Sequence, residues 1–241
     1  MHKKPITLIL LCLMAVGLVK AQDNSQKGQC SSSSFKPHVE LGAVFGGTTN
    51  TYHVNTHYAY DEIYRNGHGL NGGVSFLWQA NPWLGLRTDP VLTNKNYSQC
   101  RAMQVAEPNR IKYKNTYLQL PIMADFSFGG SRLRGHLDLG LYCGYWMKSN
   151  VTGTEIAFDC IDSYNYAFDE PYEFDKLNDN RFDMGYAAAT GISYLFGNHF
   201  RLQAEVSLFY NLVSTHVVNP IAPDPTYNTT MTANIGAYWV F

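Results

Sequence analysis

Between Arg132 and Lys148 apolar residues and glycine alternate with charged, polar and aromatic ones over seventeen consecutive positions. Leu133, Leu137, Leu139, Leu141, Cys143, Tyr145 and Met147 fall on one face. Arg132, Arg134, His136, Asp138, Tyr142, Trp146 and Lys148 fall on the other. Successive side chains point to opposite sides only in a β-strand, so this segment has one apolar and one polar face. Phe200 to Leu212 repeats the pattern, with Phe200, Leu202, Ala204, Val206, Leu208, Tyr210 and Leu212 set against Arg201, Gln203, Glu205, Ser207 and Asn211. Further alternating segments lie near 38–50, 69–79, 84–98, 113–128, 182–196 and 227–241, and stretches of helical period are missing. Together these make eight strands, an even number.

The connections between them run long, short, long, short, long, short, long. The short ones, Gln79-Ala80-Asn81-Pro82-Trp83, Gly129-Gly130-Ser131 and Gly197-Asn198-His199, are rich in turn formers. The long ones cover 51–68, 99–112, 149–181 and 217–226. Short turns at one end and long loops at the other are expected of an all-β, eight-stranded, antiparallel up-and-down transmembrane barrel. Composition agrees. Charged residues make up 15% of the chain and aromatic residues 14%, against roughly 25% charged in an ordinary soluble domain. Something other than water is expected to face part of the surface. The formal net charge of −1 argues against nucleic acid as a partner.

Residues 1–21 read as a secretory signal. Lys3 and Lys4 precede an apolar run from Ile6 to Val19, and Val19-Lys20-Ala21 supplies a small residue at the cleavage point. Cys12 follows Leu11, not the small residue that a lipoprotein signal needs. Residues 22–37 are then a short periplasmic segment and 38–241 the outer-membrane barrel domain. In the last strand Met231, Ala233, Ile235, Ala237, Trp239 and Phe241 share a face. Alternating apolar residues that end on an aromatic resemble the signal read by the outer-membrane barrel-assembly machinery, with Trp239 and Phe241 as its key residues.

Two strands carry a family resemblance most clearly. Tyr117-Leu118-Gln119-Leu120-Pro121-Ile122 looks like the "YL-x-(I/L)-P-(I/L)" strand of the PorT-like outer-membrane β-barrel family. Leu86-Arg87-Thr88-Asp89-Pro90-Val91-Leu92 is similar to that family's preceding "LQPELLY" strand, with Asp89 where an acid is usual and Leu92 in place of Tyr. Pro37 to Gly42 resembles its opening strand and Gly140 to Gly144 its fifth. The resemblance implies a barrel in the cell outer membrane, in contact with outer-membrane lipid. The family's namesake serves type IX secretion, a role that a shared barrel does not transfer.

Few motifs suggest chemistry. Gly67-His68-Gly69-Leu70-Asn71-Gly72 matches the dinucleotide fingerprint by letter, but Val74-Ser75-Phe76-Leu77-Trp78 continues as strand where that motif needs a helix. His53, His57 and His68 lack the paired Cys or carboxylate pattern of a metal site. No catalytic residue, cofactor or metal is expected. Glu40, Arg87, Asp89, Asp125, Arg134, His136, Asp138, Arg201 and Glu205 fall on inward faces. An eight-stranded barrel is just wide enough for side chains to fill, so these read as a plug of paired charges. The segment 149–181 stands apart, because from Glu155 to Asp183 nine carboxylates are interleaved with aromatics. Phe158, Asp159, Asp162, Tyr164, Tyr166, Phe168, Asp169, Glu170 and Tyr172 form a candidate partner-binding loop, against the plainer reading of a loop folded over the barrel mouth.

Three functions follow. The chain is a non-catalytic barrel that engages an envelope or secretion complex through its loops or rim. Alternatively, it is a surface receptor or adhesin acting through 149–181. The third reading, a membrane-embedded hydrolase or acyltransferase, lacks a Ser with a His and an acid beside it in the sequence pattern.

Cys100 and Cys160 enter long loops on the same side of the barrel, whereas Cys30 precedes the first strand and Cys143 faces lipid. In an oxidising compartment the first two are expected to pair, closing about 60 residues and contributing roughly 2–4 kcal/mol. Peptide mapping without reductant should recover the Cys100–Cys160 cross-linked peptide, and free thiols at both positions would contradict the pairing.

Overall fold

The computed structural model describes residues 35–54, 62–101, 109–158, 163–217 and 224–241. The N-terminal unit up to Phe35 lies almost wholly outside these residues, as do Cys30, His57, Asp159, Cys160 and Asp162. From Lys36 onward the chain forms one unit, with eleven strands among the described residues. They are β1 (His38–Val54), β2 (Glu62–Asn81), β3 (Leu84–Thr88), β4 (Val91–Asn94), β5 (Tyr97–Arg101), β6 (Asn109–Gly129), β7 (Leu133–Phe158), β8 (Ser163–Pro171), β9 (Phe182–Phe196), β10 (Phe200–Asn211) and β11 (Thr226–Val240).

All pairings are antiparallel. β3, β4 and β5 each lie between β2 and β6, β7 pairs β6 and β9 as well as β8, and β1 pairs β11 from Glu40↔Val240 to Val54↔Thr226, which closes the ring. The closed wall has eight staves, because β3, β4 and β5 are successive pieces of one of them. Their register on β6 does not break. Against β2 the stave is interrupted at Asp89-Pro90, where proline offers no N–H to the ladder. The Val74 N–H instead bonds the Pro90 carbonyl at 3.2 Å. The short turns need special backbone, and Gly129 (φ 119°) and Gly197 (φ 65°) supply positive φ there.

Burial is the reverse of a soluble protein's. Along β10, exposed Phe200, Leu202, Ala204, Val206, Leu208 and Tyr210 alternate with buried Arg201, Gln203, Glu205, Ser207, Phe209 and Asn211. Leu139 and Val206 are 48% and 47% exposed, and Ser207 is 3% exposed. The lumen is therefore the interior of the molecule. Apolar packing inside it is limited to small groups, such as Met123, Tyr142, Ala187, Ala189 and Phe209.

Three expectations are corrected. First, the strands are longer than their apolar alternation, so β2 begins at Glu62, β6 at Asn109 and β1 ends at Val54. Second, 149–181 is not a loop throughout. β7 runs on to Phe158 and turns back as β8, with the ladder continuous from Asn150↔Pro171 to Phe158↔Ser163. Third, Lys148 does not face inward. The β6 register shifts between Thr116↔Lys148 and Tyr117↔Trp146, which leaves Met147 as a bulge residue. A bulge resets the alternation, so Met147 and Lys148 both face out and Ser149 is buried. The Gly67–Gly72 run lies within β2, paired to β1.

Candidate functional site

The lower lumen, toward the short turns, is organised by Arg87 on β3. Its Nε donates to Asp89 Oδ1 at 3.1 Å and its Nη2 reaches Asp89 Oδ2 at 2.8 Å, a two-pronged grip. Nη1 donates to Asp138 Oδ2 of β7 at 2.8 Å and also to Glu205 of β10, and Nη2 donates to the Tyr238 hydroxyl of β11 at 3.2 Å. Ser75 of β2 donates to Asp89. Gln203 Nε2 and Ser207 Oγ donate to Glu205 at 2.7 and 2.6 Å. One guanidinium thereby links β2, β3, β7, β10 and β11 across the barrel. Below it Arg201 pairs with Glu40 at 2.7 Å, and His38 lies 3.2 Å from the same carboxylate.

Of the nine charged residues read as inward, eight are buried. Arg134 is half-exposed and donates to the Pro82 carbonyl. Sequence reasoning did not find Lys95, which is fully buried and pairs with Asp183. Tyr142 donates to that carboxylate at 3.1 Å, and the Tyr117 and Tyr142 rings lie 4.9 and 5.0 Å from the Lys95 ammonium. Lys95 lies between β4 and β5 on the same parity as inward Arg87, Asp89 and Thr93, so the period-two pattern that placed Arg87 and Asp89 held the signal for it. His136, Glu205 and Ser207 do meet in space, unlike in the sequence pattern. Ser207 donates to Glu205 Oε1, however, and His136 lies 3.3 Å from Glu205 Oε2. The hydroxyl proton is held by a carboxylate and not by an imidazole, which is not the arrangement that activates a nucleophile.

At the far end the candidate partner-binding residues part into two groups. Tyr166, Asp169 and Glu170 are exposed on β8, with the Phe168 ring stacked 6.2 Å from Tyr166 and Asp169 bonded to Thr152 at 3.2 Å. Phe158 and Tyr164 lie in the same hairpin by backbone. Tyr172 instead turns in. Its ring stacks 5.8 Å from buried Trp146, and Phe174 meets Trp146 edge-on at 4.9 Å. The Tyr172 hydroxyl donates to Asp179 at 3.0 Å, and burial together with that carboxylate raises its pKa well above the usual phenol range. His216 Nδ1 also lies 3.0 Å from Asp179, and the Asn180 N–H bonds the Thr215 carbonyl at 2.9 Å. Residues 171–181 thus fold over the mouth. Cys100 is buried on β5, but its expected partner Cys160 lies outside the described residues.

The outer wall has three bands. Trp78, Trp83, Phe196, Phe200, Trp239 and Phe241 are exposed around the short-turn end. Ile122, Leu139, Val206 and Ile235 are exposed in the middle, and Tyr145, Phe182, Tyr186 and Tyr210 toward the other end. An aliphatic belt between two aromatic girdles matches a bilayer with its two interfaces. The sequence profile described as "Outer membrane protein beta-barrel domain" matches residues 21–216. The chain belongs to this outer-membrane β-barrel family. Its location is the outer membrane.

Among solved structures it is similar to the outer membrane protein OprG from Pseudomonas aeruginosa, with TM-score 0.50 and 11% identity over 85% of this chain and 96% of that one. It is also similar to Ail, the attachment invasion locus protein of Yersinia pestis, with TM-score 0.39 and 12% identity over 84% and 98%. The outer membrane protease OmpT from Escherichia coli aligns with TM-score 0.33 and 9% identity over 88% and 100%. No curated protein matches the sequence. The likeness to OprG speaks to the barrel fold alone.

Replacing Arg87 by Met removes the countercharge from three buried carboxylates at once. The expected cost is about 3–5 kcal/mol, read as a lower urea midpoint of the refolded barrel, with partial recovery when Glu205→Gln is added. An unchanged midpoint would show that the network does not hold the lumen together.

Proposed function

We propose that this chain is a non-catalytic outer-membrane barrel that engages an envelope or secretion partner through the hairpin β7–β8. One observation carries the reading. Within the described residues β8 pairs only with β7, so one edge of a nine-residue strand is left outside the barrel wall. An unpaired edge is a template on which an extended segment of another protein can add a strand. Exposed Tyr166, Asp169 and Glu170 beside it supply an aromatic and acidic surface.

The lumen is filled by its ion pairs, which disfavours passage of solute as the activity. The non-catalytic reading rests on Ser207 donating to Glu205 inside that filled interior. In the proposed orientation residues 1–21 direct export and 22–37 stay in the periplasm. The short turns then face the periplasm and the hairpin faces outward. Trp239 and Phe241 serve the barrel-assembly machinery. A surface receptor acting through the same hairpin is the second reading, favoured by exposed Tyr166 stacked on half-buried Phe168.

A photo-crosslinking residue in place of Tyr166 should give a discrete adduct with one envelope protein in intact cells. The same probe at lipid-facing Tyr186 should not. An adduct formed only with added extracellular ligand would favour the receptor. No protein adduct from Tyr166 under either condition would contradict a partner-binding hairpin.

A further inference from the structure

The lower lumen holds more negative than positive charge. Asp89, Asp138 and Glu205 are all buried around a single guanidinium, that of Arg87. Asp125 stands directly across the β6–β7 ladder from Asp138, and Ser127 is its hydrogen-bond donor at 2.7 Å. Arg87 serves only Oδ2 of Asp138. The other oxygen, Oδ1, is buried without a hydrogen-bond partner on a side chain that is fully buried. A carboxylate oxygen left this way is costly, because neither water nor a donor replaces its hydration.

Asp138 also belongs to a cluster of three metal-ligating side chains. His136, Asp138 and Glu205 each offer one ligand atom, and the three atoms lie within 4.8 Å of one another. Ligands about 2.1 Å from a common ion stand at most about 4.2 Å apart, so the side chains need to close by about half an ångström. The backbone already favours this. His136 and Asp138 are two apart on β7 and share its inward face, and Glu205 projects from β10 across the lumen. One imidazole with two carboxylates suits a divalent transition-metal ion better than Ca2+ or Mg2+, which prefer oxygen alone.

We propose that His136, Asp138 and Glu205 bind a divalent transition-metal ion of the Zn2+ or Co2+ kind inside the barrel, on the side of Asp138 turned away from Arg87. Two positive charges offset the carboxylate excess that Arg87 alone leaves. The ion also gives the orphaned oxygen a partner. Arg87 stays on Asp138 Oδ2 and the ion takes Oδ1, so the two cations share the carboxylate from opposite sides. The site is independent of the hairpin at the far end of the barrel.

Co2+ titrated into the refolded, full-length wild-type barrel in detergent micelles tests this, because its d–d absorption reports inner-sphere nitrogen and oxygen ligands. One Co2+ per chain is expected, displaced by Zn2+. The spectrum should be lost in Asp138→Asn and in Glu205→Gln and kept in Glu173→Gln, an exposed carboxylate on the mouth segment. A correctly folded wild type that binds no Co2+ would overturn the proposal. So would a spectrum that survives both lumen substitutions, since the ion would then lie elsewhere.

Discussion

In hydrocarbon a strand has no water to bond its N–H and C=O groups, so everything in this fold depends on the seam between β1 and β11. That seam runs from Glu40↔Val240 to Val54↔Thr226, fifteen pairs without a register break. Once it is closed, the wall has no edge in the membrane, and the inside is a separate compartment from the outside. Each stave must then be two-faced. Leu139 and Val206 meet lipid, and Asp138 and Glu205, one position away, meet the lumen.

Closing eight staves also fixes how wide the lumen is, and that width explains its chemistry. Side chains from opposite walls reach each other, so Arg87 on β3 touches Asp138 on β7 and Glu205 on β10. In so narrow a space an unpaired charge has no water to fall back on. The ion pairs therefore serve as the barrel's core, and the apolar clusters are small by comparison. Above the membrane the constraint is lifted. There β7 stays paired to β6 as far as Thr154, takes β8 in place of β9 as its other neighbour, and an open edge on β8 becomes permissible because water can bond it.

The membrane-embedded part of the fold was legible because alternation records it directly. In β10 the inward Arg201, Gln203, Glu205 and Ser207 and the outward Leu202, Ala204 and Val206 were all read correctly from period two. Beyond the membrane both faces of a strand are wet, and the signal disappears. That is why β8, with Tyr166, Phe168 and Glu170, read as loop, and why Glu62 to Gly67 was not seen as strand. Lys148 was misplaced because a bulge at Met147 leaves no sequence mark. The partners of the inward charges were not legible either. Arg87 and Glu205 are 118 positions apart, and Lys95 meets Asp183 only through the closed ring.

The central claim is a closed barrel resident in the outer membrane, and resistance of its ring to detergent tests it most directly. Fractionated outer membranes should contain the chain, and it should migrate differently on a denaturing gel before and after boiling. Only a ring whose strands are all paired keeps its compact form until heated. Recovery from the periplasm as a soluble monomer whose migration does not change with heating would contradict the account.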